Sequence, residues 1–169
     1  MLSRILARLA LLALLPALAA SAAASEPPAL DRAAAEAAAL EYAGVPRADL
    51  LRLKADADEE AGIPVYSFEF ETDGGDYDVV VERRTGRIVD ADIEIREEWV
   101  RARPARSDAE ARVRAEASRR LPGSRPEDVR LRRESGRWEG LLEARGMKCE
   151  FEADRRTGVI FDWTAERRD

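Results

Sequence analysis

"ERRTGRIV" at residues 82–89 and "DRRTGVIF" at residues 154–161 spell nearly the same phrase twice in one chain of 169 residues. In x-R-R-T-G-x-(Ile/Val), Gly86 and Gly158 suit the close of a hairpin loop of about three to five residues, where the backbone needs positive φ. Thr85 and Thr157 can hydrogen-bond the turn backbone, and the arginines then lie in solvent at the tip. The phrase is expected to be a structural turn rather than an anion site, and a turn written twice points to a fold written twice.

The flanking sequence repeats with it. Before the first copy, "DRAAAEAAALEYAG" predicts a helix that Asp31 caps and Gly44 ends, with Pro46 just beyond. Before the second, "SDAEARVRAEASRRLPG" predicts another, with Ser107 and Glu110 in a capping box and Ala109, Val113, Ala117 and Leu121 in one apolar stripe. Arg119 and Arg120 fall in its last turn, where the helix dipole favours cations. After each helix the period becomes two. "VYSFEFET" puts Tyr66, Phe68 and Phe70 on one face, "YDVVVE" puts Tyr77, Val79 and Val81 there, and "RIVDADIEI" adds Val89, Ala91, Ile93 and Ile95. In the second half "MKCEFEA" turns Met147, Cys149 and Phe151 inward, and "VIFDW" does so for Val159, Phe161 and Trp163. Trp138 lies on a strand whose alternation is too poor to assign it a face. Gly86 and Gly158 are 72 residues apart, as are Tyr77 and Cys149, Val79 and Phe151, and Ala91 and Trp163; nearer the helices the offset is 79. The missing seven residues are expected in "ADADEEAGIP", read here as a long polar loop.

A helix ending in glycine, then strands, then a hairpin carrying (Asp/Glu)-x-x-Thr-Gly-x-(Ile/Val), resembles the PepSY domain. The matching residues are Glu82, Thr85, Gly86 and Ile88, then Asp154, Thr157, Gly158 and Ile160. The resemblance implies an α+β chain of two tandem helix-plus-antiparallel-sheet (αβββ/αββββ) PepSY-like repeats, over 25–97 and 107–169, with a linker at 98–106. Two small open sheets are expected, each covering its own helix, with the two copies packed as one pseudo-symmetric unit. The family is associated with propeptides of secreted proteases and with restraint of proteases, so the implied partner is an exported protease or another envelope protein.

Residues 1–24 read as a signal peptide. Arg4 and Arg8 precede an apolar run that ends in small residues satisfying an A-x-A rule. The run is short against the roughly 20 residues of a spanning helix, and Pro16 interrupts it. The expected mature protein is therefore periplasmic or secreted, without stable membrane insertion. Residues 26–97 hold 8 Lys/Arg against 19 Asp/Glu, while residues 98–169 hold 18 against 15. Arginines interleaved with glutamates in an exported chain argue against nucleic acid as a partner.

The chain has no histidine, which removes Ser-His and Cys-His mechanisms and His-based zinc sites. Cys149, its single cysteine, cannot form an internal disulfide and reads as a small buried hydrophobe, with a reactive or chain-bridging thiol as the alternative. The acidic runs "DADEE" and "DADIE" read as solvated faces, with weak cation binding as the alternative. Trp99, in the linker, is expected either to plug a groove between the sheets or to anchor a partner. No cofactor and no catalytic residue is expected. The function expected is a non-enzymatic protein-binding module that regulates an extracytoplasmic protease; the alternative is an envelope sensor or accessory protein that binds a small ligand or cation.

Overall fold

A computed structural model of the chain describes residues 29–168; the expected signal peptide lies outside them. Asp31 begins α1 (Arg32–Ala43), accepting the Ala34 amide at 2.8 Å, and Gly44 ends it at φ 73°. A helix of 12 residues is marginal in isolation. Packing sustains it, because Ala35, Ala39, Leu40, Tyr42 and Ala43 are buried against the sheet. Then come β1 (Arg52–Glu60), β2 (Ile63–Glu71), β3 (Gly75–Glu82) and β4 (Ile88–Ile95), all antiparallel neighbours. A short helix, α2 (Glu97–Arg101), leads to α3 (Ala109–Arg120). The chain closes with β5 (Arg130–Glu134), β6 (Arg137–Ala144), β7 (Met147–Asp154) and β8 (Ile160–Arg167).

The sheet order is β1-β2-β3-β4-β8-β7-β6-β5. The protein is therefore α+β with one eight-stranded antiparallel sheet, and not the two separate sheets expected. The seam is a ladder from Asp90 opposite Glu166 to Glu94 opposite Asp162, which pairs the last strand of one half with the last strand of the other. An unpaired β4 or β8 would leave a row of open amides and carbonyls, so the two edges satisfy each other. A single core unites the inward sheet face with α1 and α3, including Phe68, Val113, Phe151 and Trp163. Among the described residues the opposite sheet face carries no helix.

Four sequence expectations need correction. "ADADEE" is not a loop: β1 continues to Glu60, paired with β2 throughout, and turns at Ala61-Gly62 with φ of 47° and 80°. β5 has five residues against nine in β1, so the shortening of the second half falls on a hairpin arm. The capping box at α3 does not form. Asp108 is the N-cap residue and its side chain makes no cap bond; Arg106 holds it, and Glu110 pairs with Arg114. In β8 the buried residues are Ile160, Trp163 and Ala165, while Val159 and Phe161 are half-buried. The cause is a register shift between Glu152 and Ala153, matched 72 residues earlier between Val80 and Val81. Such a bulge inserts one unpaired residue and breaks simple alternation. Trp138, unassigned from sequence, is buried.

The two halves fill the same space differently. Phe68 faces Val79 across β2 and β3, whereas Gly140 faces Phe151 across β6 and β7. A Cβ built on Gly140 would lie 2.0 Å from the Phe151 ring, so the ring occupies the volume the glycine leaves. Phe151 stacks on Trp163 at 5.4 Å, and the Trp163 indole N–H donates to the Tyr42 hydroxyl at 2.8 Å.

Candidate functional site

Both Thr-Gly turns close in the same way. The Gly86 amide donates to the Glu82 carbonyl at 2.8 Å, and the Gly158 amide to the Asp154 carbonyl at 2.9 Å; each glycine has φ 72°. The Thr85 hydroxyl bonds the Glu82 carboxylate and the Thr157 hydroxyl bonds the Asp154 carboxylate, which explains the acid three residues before each threonine. The tip arginines are not all idle in solvent. Arg156 donates to the carbonyls of Val100, Arg101 and Arg103, clamping the end of α2. Arg83 lies over the Tyr66 ring at 4.9 Å.

The candidate site is the sheet face opposite the helices. Its cross-strand rows follow from register. One reads Lys54, Glu69, Asp78, Asp92, Thr164, Glu150, Leu141, Arg130 from β1 to β5. The next reads Arg52, Glu71, Asp76, Glu94, Asp162, Glu152, Glu139, Arg132. Each row starts and ends on a base; the second is acidic at every position between, and the first at all but Thr164 and Leu141. At the margins the charges pair: Lys54 with Glu69 at 3.0 Å, Arg96 with Glu71 at 2.9 Å, Arg137 with Glu152 at 3.4 Å, and Arg132 with Glu139. In the middle, Asp78, Asp90, Asp92, Glu94 and Asp162 make no ion pair with any described residue.

Like charges directly opposite each other on a sheet are destabilising. Asp78 faces Asp92, and Glu94 faces Asp162. Partial burial raises the pKa of Asp78, Asp90 and Asp162 above the ordinary carboxylate value, and neighbouring carboxylates push the same way. Among the described residues no group of three or more Asp, Glu or Cys side chains could hold a metal ion. The face is an extended negative field.

Trp99 lies off this face, on the helix side, half-buried. A Cβ on Gly74 would come within 3.0 Å of its indole nitrogen, and the Arg103 guanidinium lies 3.6 Å from its ring centre. Sequence reasoning placed "DADIE" outward, but only the β4–β8 seam brings Asp162 beside it. Cys149 is fully buried, and burial pushes its thiol up to about 12, against the opposing charge of Arg120. A thiol so placed stays protonated and packs as an apolar group.

A one-layer antiparallel sheet with helices on one face and an open charged face on the other defines an α+β scaffold that presents an extended surface. Residues 29–92 match the family described as peptidase propeptide and YPEB domain, PepSY. The match lies in the first half of the chain and spans α1 and most of the first four strands. No curated protein matches the chain. Among solved structures, a crystal structure described as a "putative lipoprotein" of Clostridium difficile 630 is similar over 70% of this chain and 82% of that one, at 13% identity and a TM-score of 0.25. No helix among the described residues is long and apolar enough to cross a membrane.

Proposed function

We propose that the protein is an exported, non-enzymatic binding module that restrains an extracytoplasmic protease, and that the bare sheet face makes the contact. On this reading residues 107–169 are a second PepSY-like copy. Its support is the 72-residue correspondence of turns and bulges and the matching order of helix and strands in each half. The signal peptide at 1–24 and a periplasmic or secreted location belong to the same proposal.

The observation that carries it is the set of five central carboxylates without cations, ringed by paired arginines and lysines. A partner with a basic patch would relieve their mutual repulsion and gain attraction over the whole field. Solvent-exposed electrostatics of this kind are screened within roughly 8 Å at physiological salt. The test is crosslinking of the tagged mature protein in the cells that export it, beside a variant carrying Asp78→Asn, Asp92→Asn and Asp162→Asn. The expected result is one exported protease captured by the parent, lost with the variant at low salt, and slowed by the purified parent protein. Equal capture by both proteins, or a captured protease whose activity is unchanged, would overturn the reading. Recovery of a transporter or sensor in its place would favour the accessory role.

A further inference from the structure

The chain leaves β4 and β8 by the same bond. The Arg96 amide donates to the Gly74 carbonyl at 2.9 Å, and the Arg168 amide donates to the Gly146 carbonyl at 2.7 Å. After Arg96 the chain forms α2 and lays Trp99 over Gly74, in a groove walled by Tyr77, Ile95 and Ile160. At Gly146, 72 residues later, no described residue lies within 4 Å of a built Cβ. The equivalent groove there is an open cavity of about 570 Å³ between α1, the end of α3 and the β6–β7 turn. Its apolar wall is Ala38, Tyr42, Ile88, Leu121, Pro122 and Met147.

The charged groups at this cavity are Arg87, Arg119, Arg120 and Arg145, against the one acid Glu41. Arg119 is fully engaged. It donates to the carbonyls of Glu41 and Tyr42, closing the end of α1, and to the Glu116 carboxylate. The other three are short of acceptors among the described residues. There Arg87 reaches only the Arg145 carbonyl, at 3.4 Å, and the Arg145 guanidinium pairs with no described acid. Arg120 is 6% exposed; its Nε bonds Glu116 at 3.0 Å, but its Nη1 has no partner. A buried cationic nitrogen without an acceptor is costly, and an apolar cavity with few polar groups is the usual form of a binding pocket.

The first half shows what such a groove holds. Its occupant is a single helical turn reading Glu97, Glu98, Trp99, Val100, an aromatic anchor flanked by acids. We propose that the open groove beside Gly146 docks an acidic, aromatic-bearing helical turn of a partner polypeptide, as α2 docks within the chain. A helical turn satisfies much of its own backbone, which suits walls that offer few acceptors or donors besides the arginines. The acidic flank answers Arg87, Arg120 and Arg145, and the aromatic ring answers Ile88 and Met147. This site lies on the helix side and stands independently of the bare sheet face.

The probe is the acetylated, amidated peptide Glu-Glu-Trp-Val with a fluorescent tag, titrated into the mature protein while backbone amides are followed by NMR. Saturable binding is expected, with the largest shifts at Gly146, Met147 and Ile88. The double variant Arg87→Ser/Arg145→Ser changes exposed side chains and should bind roughly fivefold more weakly. Ala38→Trp, on a half-exposed helix position, should fill the groove and abolish binding while urea unfolding stays near the parent's. Replacing the tryptophan of the peptide with alanine should also abolish it. Absence of saturation, equal binding by Ala38→Trp, or shifts confined to the bare sheet face would each overturn the proposal.

Discussion

At Gly158 a methyl group would meet the Ala109 carbonyl oxygen at 2.6 Å, whereas at Gly86 it would meet a flexible end of Leu30 at 3.0 Å. Both glycines have φ 72°, so alanine pays the left-handed penalty at each, about 1–2 kcal/mol. The difference lies in the neighbour. A leucine methyl can rotate away, but a helix backbone cannot without moving α3. Gly86→Ala should therefore cost about 1 kcal/mol and Gly158→Ala about 3 kcal/mol in urea unfolding. Equal losses would mean that α3 yields as readily as a side chain. The glycines were legible in the sequence because their phrase recurs. The unequal surroundings were not, since they depend on how close each helix start lies to its turn.

The β-strand is the scale at which charge repulsion is set. Asp78 and Asp92 face each other with burial and neighbours both opposing ionisation of Asp78. Their joint replacement by asparagine should raise stability at pH 7 by about 1 kcal/mol. The sign with pH follows from the raised values at Asp78, Asp90 and Asp162. Below the ordinary carboxylate range the face is uncharged in both folded and unfolded chains, and no repulsion acts. As pH rises through the raised folded-state values, the native state must ionise against its neighbours and loses stability. The advantage of the double variant over the parent should thus vanish near about pH 3. An advantage independent of pH would point to packing rather than charge.

Strands with aromatic and branched residues alternating, such as β2, β3 and β7, could be read directly from their period. β1 could not. Its inward positions Ala55 and Ala57 and its outward acids have poor strand propensity, and only pairing with β2 makes them extended. The α3 capping box failed for a related reason: Glu110 had a better partner in Arg114, one turn on along the helix.

For the whole molecule, the decisive contact is the β4–β8 seam, and no residue pattern announces which edge strands will meet. One sheet and one core predict one cooperative transition. The chain provides its own reporters: Tyr42, Tyr66 and Tyr77 lie in the first half, and Trp99, Trp138 and Trp163 in the second or its approach. Urea unfolding followed by tryptophan fluorescence and by far-ultraviolet circular dichroism should give coincident curves. Separated midpoints would mean that each half melts alone and that the seam contributes little.

The seam also frees the molecule from an obligation. Two identical subunits joined across such a ladder must present identical surfaces, because their symmetry copies every substitution. Two halves on one backbone are held together at a high effective concentration without that demand. Val159 can then stand where the other half has Arg87, and a phenylalanine can stand on β7 where the other half has one on β2. Covalent linkage thus lets one continuous sheet carry different surfaces at its two ends.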